Sequence, residues 1–223
     1  MPSTAAGADV VSASPRLRVV KFGGSLFARP AWHDDLRAWF AQQLACPTLL
    51  VVGGGGLADA LRCEAARFPY DERLMHDLAL QAMDMNATCV RARLPEIGST
   101  CVDAFPNRRA DSDRLAGAGA HDSTQVVTPH IASWWSQAER QNKDRPPATW
   151  QTTSDTLAAW LAVESAADEL VLLKSCLPQA CGARPDDPAD WAARGYVDPE
   201  FPNWIRHVRS VRCEVLPKCS KAE

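Results

Sequence analysis

Short apolar runs alternate with helical stripes along this chain. Strands are predicted at residues 17–22, 48–52 and 169–174, where β-branched and aliphatic residues form short, mainly apolar runs. After the first two runs, apolar residues recur at spacings of three and four, which is typical of helices. Parallel neighbours need a crossover connection, usually a helix, so this order predicts an α/β fold, a three-layer α/β/α sandwich around a mainly parallel sheet.

Four helices are predicted from these stripes. The first is expected to end before Pro47, and the fourth to begin at an N-cap supplied by Thr153 or Ser154. The stripe positions of the four helices, all apolar except Gln43, are in chain order Leu36, Trp39, Phe40, Gln43 and Leu44; Leu57, Leu61, Ala65 and Phe68; Met75, Leu78, Ala82, Met85 and Cys89; and Leu157, Trp160, Leu161 and Ala162.

The rest of the chain is less regular. Strand candidates occur at 101–105 and 125–128, and the polar tract 136–147 is interpreted as an exposed connection. The tail from 178 to 203 resembles loop with one short helix, and 208–216 is expected to close the sheet. Residues 1–16, rich in Ala, Ser, Gly and Pro, are predicted to form a disordered leader, with 17–223 as a single domain.

Charge and composition narrow the function classes. The chain has 223 residues, 24 Lys and Arg against 27 Asp and Glu, and a net charge of −3. The chain lacks the surplus of basic residues that would favour nucleic acid binding. No stretch of sequence approaches the roughly 20 consecutive apolar residues that span a bilayer. We therefore expect no nucleic acid and no membrane partner, but small molecules, in the cytoplasm.

The eight cysteines predict little chemistry. Those at 46, 63, 89 and 101 lie among apolar runs and are interpreted as free core thiols of a reducing compartment. The pairs 176/181 and 213/219 are spaced more widely than a zinc knuckle, so no metal site is predicted.

Two glycine-rich loops follow the first two strands and carry the strongest chemical signal. Gly23 and Gly24 precede Ser25 and follow Lys21 closely, and the second loop comprises Gly53, Gly54, Gly55 and Gly56. Without a Cβ, backbone amides in such loops can approach phosphate oxygens closely, and a lysine adds charge. Either loop alone could equally be a simple turn. Neither fits the Walker or dinucleotide-binding spacing.

A third element strengthens the phosphate hypothesis. Asp155 falls in the first turn of the fourth predicted helix, and Lys174 ends the following strand. An acidic neighbour can hold a lysine in place. Phosphoryl transfer requires mainly positive charge and N–H donors around the phosphate oxygens.

The order of these motifs resembles the amino acid kinase superfamily. The similar segments are Val-Val-Lys-Phe-Gly-Gly-Ser at 19–25, Val-Val-Gly-Gly-Gly-Gly at 51–56, Thr-Ser-Asp-Thr-Leu-Ala-Ala at 153–159 and Leu-Leu-Lys at 172–174. Other positions are similar to the branch that phosphorylates aminomethylfuran phosphate in the methanofuran biosynthesis of one-carbon metabolism. These are Gly54 to Gly56 with Ala58, Asp59 and Arg62; His76 with Ala82, Met83 and Asp84; and Pro147, Trp150 and Thr153 to Asp155.

The resemblance implies a kinase that uses ATP and Mg²⁺. Lys21 would stabilise the transferred phosphoryl group, and Asp155 would orient the lysines. Gly23, Gly24, Ser25 and Lys174 would bind the nucleotide. Gly53, Gly54, Gly55, Gly56 and Arg62 would bind the acceptor, a small phosphate or carboxylate. Residues 17–150 would form the acceptor-side lobe and 151–223 a shortened nucleotide-side lobe, in a homodimer.

One departure keeps alternatives open. Family members commonly continue after the lysine strand with a Val-Asp-Gly segment, whereas Lys174 is followed here by Ser175-Cys176-Leu177-Pro178. A non-catalytic binding or complex-forming protein on the same fold is therefore one alternative. A uridylate-type or other small-molecule kinase is the second, because Asp77 and Asn86 faintly resemble the nucleoside-contacting helix of that branch.

Overall fold

Five parallel strands form one sheet in the computed structural model, which describes residues 17–95 and 126–218. The spatial order is β3-β2-β1-β4-β5. Every neighbouring pair is parallel. The strands are β1 Arg18–Phe22, β2 Thr48–Val52, β3 Val126–Val127, β4 Glu169–Lys174 and β5 Val211–Val215.

The central strand β1 organises the sheet. Its residue Val20 pairs with Leu50 of β2 and Val171 of β4. All of β1 is buried, since side chains alternate between two apolar clusters, one on each face of the sheet. The predicted α/β architecture with a parallel sheet is confirmed. Because β1, β2 and β4 run the same way, the loops that follow them meet at one edge.

Helices cover both faces. Their bounds are α1 Trp32–Ala41, α2 Gly55–Arg67, α3 Glu72–Arg93, α4 Ile131–Arg140, α5 Ser154–Glu164, α6 Pro188–Ala193 and α7 Phe201–Ile205, with 3₁₀ turns at Gly24–Ala28 and Pro178–Cys181. Within the described ranges, no helix combines the length and apolarity that a bilayer crossing demands.

Some predicted helix faces are wrong. Helix α1 ends at Ala41, so Leu44 lies beyond it and is 65% exposed. In α3, Met85 lies on the predicted apolar stripe but is 59% exposed, whereas Met83 is buried, because the stripe facing the sheet is shifted by one position. In α2 only Ala58 is buried, so the stripe predicted for that helix lies largely at the surface.

The polar tract at 136–147 includes the second half of a helix, α4. Helix α4 extends to Arg140 and buries Trp134 and Trp135, which are each 1% exposed. Its start is fixed by Asp84, whose carboxylate accepts from the amide nitrogen of Ile131 at 2.6 Å. The interpretation of the whole tract as an exposed connection is therefore wrong. The tail likewise contains two short helices, α6 and α7, rather than one.

The cysteines divide between core and surface. Cys46 is buried, and burial raises the pKa of its thiol to about 11. Cys63 and Cys89 are exposed, so their assignment to the core is wrong. The leader, the strand candidate at 101–105 and the cysteines at 101 and 219 lie outside the described residues.

Candidate active site

A cavity of about 440 Å³ opens where the carboxyl ends of β1, β2 and β4 meet. Most of the residues predicted from the sequence lie on its wall. They are Lys21, Gly23, Gly24, Ser25, Gly54, Gly55, Arg62, Asp155 and Lys174. Gly53 and Gly56 lie outside the cavity wall, although both belong to the same loop.

Two lysines and one aspartate form the charged centre of this cavity. The Nζ of Lys21 lies 3.0 Å from Oδ1 of Asp155, and the Nζ of Lys174 lies 3.0 Å from Oδ2. The Lys21 and Asp155 side chains are 6% and 8% exposed. One carboxylate therefore holds two ammonium groups, and the cluster carries a net positive charge that suits a phosphate.

Burial and pairing act against each other on these groups. Burial lowers the pKa of Lys21 below its ordinary value, while the Asp155 carboxylate opposes that shift. For Asp155, burial alone would raise the pKa, but Lys21 and Lys174 hold it below its ordinary value. Asp155 is thus a fixed anion, engaged on both oxygens.

The two glycine loops contact each other backbone to backbone. A Cβ placed on Gly24 would lie 2.4 Å from the nitrogen of Gly55, and a Cβ on Gly53 would lie 2.6 Å from the nitrogen of Gly24. Gly55 also has a φ of +50°, in the left-handed region. The carbonyl of Gly53 accepts from Nδ2 of Asn86 at 2.9 Å. Glycine is required here so that both loops fit side by side.

Helix α2 starts at the cavity. The first amides of a helix have no intrahelical partner, and the helix dipole places partial positive charge at that end. Since α2 begins at Gly55, those amides belong to Gly55, Gly56 and Leu57. Gly53 precedes the helix and contacts Gly24 of the other loop. A Cβ on Gly56 would meet open space, so close packing does not require glycine there.

Asp198, which the sequence analysis did not identify, fixes the helix that carries Asp155. Its carboxylate accepts from the amides of Thr153 and Thr156 at 3.1 Å and from both threonine hydroxyls. It also accepts from the amides of Glu200 and Phe201. This one buried side chain therefore joins the start of α5 to the start of α7.

We expect Asp198→Ala to lower the free energy of unfolding by about 3 kcal/mol, because several buried donors lose their acceptor. Urea denaturation measures the change, and Asp186→Ala, at an exposed position of the same tail, is the matched control. A loss under about 1 kcal/mol would show that α5 holds its position without Asp198.

Tyr196 holds the second lysine. Its backbone carbonyl accepts a hydrogen bond from Nζ of Lys174, and its ring centroid lies 4.3 Å from that nitrogen. Tyr196 lies 22 residues beyond Lys174 along the chain. The tail thus contributes to this site by positioning Lys174.

Arg62 lies at the rim of the cavity. It pairs with Asp59 at 2.6 Å, and its side chain is 49% exposed. Its guanidinium carbon lies 5.7 Å from the centroid of the Trp150 ring. The structure therefore places Arg62 beside the cavity, as predicted, but in partial contact with water.

The donor set fits the polyphosphate of ATP. Two ammonium groups lie on the cavity wall, and α2 begins there at Gly55; positive charge beside a helix N-terminus is the arrangement that phosphate oxygens require. Mg²⁺ usually keeps several waters and is bound through one or two carboxylates plus substrate phosphates. A lysine lies 3.0 Å from each oxygen of Asp155, so the phosphates and water would supply most of the ligands of Mg²⁺.

Comparison with known proteins agrees with this geometry. A model of the amino acid kinase family matches residues 16–176. None of the curated proteins compared with the chain matches it.

Three solved structures match the chain to different extents, and the two with a TM-score above 0.5 illustrate the similarity in fold. A UMP kinase from Ureaplasma parvum matches with a TM-score of 0.59 and 12% identity, and the match covers 92% of each chain. An aspartate kinase from Synechocystis matches with a TM-score of 0.54 and 17% identity over 88% of this chain and 38% of its own. A uridylate kinase from Archaeoglobus fulgidus matches with a TM-score of 0.45 and 18% identity over 71% of this chain and 63% of its own. The chain thus spans under two thirds of the last two.

Proposed function

We propose, from the premise that this chain belongs to the amino acid kinase family and is a kinase of that family, that its preferred acceptor is aminomethylfuran phosphate. The product would be a diphosphate, made in methanofuran biosynthesis. ATP, with Mg²⁺, supplies the phosphoryl group. The observation that carries the proposal is the pair of lysines held by Asp155 where the two glycine loops meet.

The charged centre favours an acceptor that is already ionised. An alcohol needs a general base to remove its proton. Asp155 is unsuited to that task because Lys21 and Lys174 occupy both of its oxygens. A phosphate or carboxylate oxygen needs no base, since it is ionised at neutral pH. An acceptor oxygen would therefore attack the γ-phosphorus directly as the bond to the β-phosphate oxygen breaks.

In this reaction the protein's task is charge stabilisation and positioning. Lys21 comes from the central strand β1, and it lines the same cavity as residues of both glycine loops. We assign it to the oxygens of the transferred group, where charge must be balanced in the transition state. Lys174, on the neighbouring strand β4, and the loop of Gly23 to Ser25 are assigned to the nucleotide.

The acceptor is assigned to the opposite side of the cavity, beside β2. Helix α2 supplies Arg62 there, and the loop of Gly53 to Gly56 supplies the first amides of that helix. Residues 17–150 would thus form the acceptor-side lobe and 151–223 the nucleotide-side lobe. Location in the cytoplasm and assembly as a homodimer remain predictions, the second measurable by light scattering.

The uridylate alternative rests on two side chains of α3. Asp77 pairs with Arg73 at 3.0 Å, and Nδ2 of Asn86 donates to the Gly53 carbonyl. A panel of aminomethylfuran phosphate, UMP and aspartate tests the acceptor. We expect the highest kcat/KM with the furan phosphate, and a higher value with UMP would overturn this choice.

The second alternative is a binding protein without turnover. The replaced segment after Lys174 favours it, whereas the intact cluster of Lys21, Asp155 and Lys174 favours an enzyme. The same panel separates the two, because a binding protein would retain a ligand without forming ADP.

Arg62 distinguishes acceptor binding from nucleotide binding. We expect Arg62→Lys and Arg62→Ala to raise the KM of the acceptor about tenfold, because a planar guanidinium pairs with an anion through two hydrogen bonds. A larger effect would require a desolvated pair, and this side chain is 49% exposed. The KM for ATP should hardly change.

The matched control is Arg67→Ala on the same helix, where the side chain is 73% exposed and pairs with Glu64. Steady-state kinetics with each substrate varied in turn measure all three variants. If the Arg62 variants match the control, Arg62 is a surface residue without a part in acceptor binding.

A further inference from the structure

His76 is a buried polar residue that phosphoryl transfer does not explain. It lies in the second turn of α3, is 2% exposed and contributes to the cavity wall. Its ring centroid lies 4.5 Å from that of Trp135 with the two planes tilted by 56°, so the indole packs closely against it. Its Nε2 has no hydrogen-bond partner in the part of the chain that the structure describes.

The hydrogen bonds around Thr149 define the state of this ring. His76 shares a hydrogen bond with the backbone of Thr149. The amide of Thr149 already donates to the carbonyl of Pro147 at 3.0 Å. The group left for His76 is therefore the Thr149 carbonyl, to which Nδ1 must donate because Nε2 is unpaired. In a neutral ring, Nε2 then carries the lone pair.

The surroundings keep this ring neutral. Burial lowers the pKa of His76, against the smaller opposing effect of the Thr149 hydrogen bond. The nearest charged groups are occupied with each other, since Arg73 pairs with both Asp77 and Glu139. A buried acceptor atom without a donor is costly. Such an atom on a cavity wall is accounted for when a ligand supplies the donor.

The position of His76 indicates which ligand that is. Around it the cavity wall is largely apolar, with Leu80, Met83, Trp150 and Leu157. This is the β2 side of the cavity, because α3 packs on α2 and β2. Lys174 lies on the other side, at the end of β4. A donor that meets His76 therefore belongs to the acceptor molecule.

We propose that His76 determines acceptor specificity by accepting, at Nε2, a hydrogen bond from an N–H group of the acceptor, the ammonium of aminomethylfuran phosphate. This inference rests on the proposed function. The acceptor is then recognised at two points: its phosphate by the amides and Arg62, and its ammonium by His76. An acceptor without the amine leaves Nε2 unpaired and is disfavoured.

The test compares aminomethylfuran phosphate with the same compound carrying methyl in place of aminomethyl. We expect wild-type protein to prefer the amine at least tenfold in kcat/KM. His76→Phe keeps an aromatic ring against Trp135 but lacks the lone pair, so its preference should fall to about one. His76→Gln, which keeps an acceptor atom, is the second variant and should retain part of the preference.

The ratio between the two substrates separates recognition from structure. A residue that only supports the fold would lower both rates together and leave the ratio unchanged. An unchanged ratio in folded His76→Phe, or a wild-type ratio near one, would overturn the role of His76 and leave the kinase proposal standing. If wild-type protein forms ADP with neither furan phosphate, the acceptor assignment and the role of His76 both fall.

Discussion

Lys21→Met is expected to reduce kcat about a thousandfold while the protein stays folded. Lys21 is the cation assigned to the transferred phosphoryl group, and removing one preorganised group of this kind costs roughly 10² to 10³ in kcat. The fold should persist because Asp155 keeps Lys174 as its partner at 3.0 Å. Steady-state assays of ADP formation measure the loss of kcat, and thermal unfolding measures whether the fold is retained.

Lys143→Met is the matched control for this variant. Lys143 pairs with Glu164 at 3.5 Å, outside the cavity wall. The control variant therefore makes the same chemical change as Lys21→Met, an ammonium replaced by a thioether, but away from the cavity. Activity of Lys21→Met within a few-fold of this control would remove Lys21 from the mechanism.

Asp155→Asn is the second variant with a large expected effect. It leaves two buried lysines facing each other without a counter-charge, and an unpaired buried charge costs about 3–5 kcal/mol. We expect a lower melting temperature at neutral pH and a kcat reduced at least a hundredfold, since the lysines lose their fixed orientation. Anion binding to Asp155→Asn should become stronger than to wild-type protein, because an added anion can take the place of the missing carboxylate.

Tripolyphosphate provides the diagnostic readout. It should raise the melting temperature of Asp155→Asn more than that of wild-type protein, because the variant offers two uncompensated ammonium groups. Asp168→Asn, which weakens a surface pair with Arg209, is the control and should respond like wild type. Equal stabilisation of Asp155→Asn and wild type would show that the lysines do not form the phosphate site.

The sequence predicts the parts of this site that depend on local pattern. Strands β2 and β4 have the predicted bounds, and Thr153 is the N-cap of α5 as expected. Lys21 and Lys174 could be identified because Lys21 is the last residue but one of its strand and Lys174 is the last of its own, and parallel strands bring such ends together. What the sequence could not supply is distance, here the 3.0 Å contacts of both lysines with Asp155.

Residues that act across long separations were missed for a physical reason. Asp198 lies in a tail rich in Pro, Asp and Ala, and its partner Thr153 is 45 residues away along the chain. Nothing near Asp198 distinguishes it from the exposed acidic residues around it. The same holds for the Tyr196 carbonyl that holds Lys174, because any residue type can supply a backbone oxygen.

The helix α4 could have been found. Its apolar residues Ile131, Trp134, Trp135 and Ala138 follow helical spacing, and all are buried. The polar residues that follow, up to Pro147, gave the tract the composition of a loop. The average composition of the tract is polar, whereas the helical spacing of those four apolar residues would have predicted α4.

The chemical identity of the product tests the central claim most directly. Purified protein would be incubated with ATP, Mg²⁺ and aminomethylfuran phosphate, and the mixture followed by ³¹P nuclear magnetic resonance. We predict that ADP forms together with a new pair of coupled diphosphate resonances, and that Lys21→Met forms neither. Release of inorganic phosphate alone, or an unchanged spectrum from folded wild-type protein, would contradict phosphoryl transfer to this acceptor.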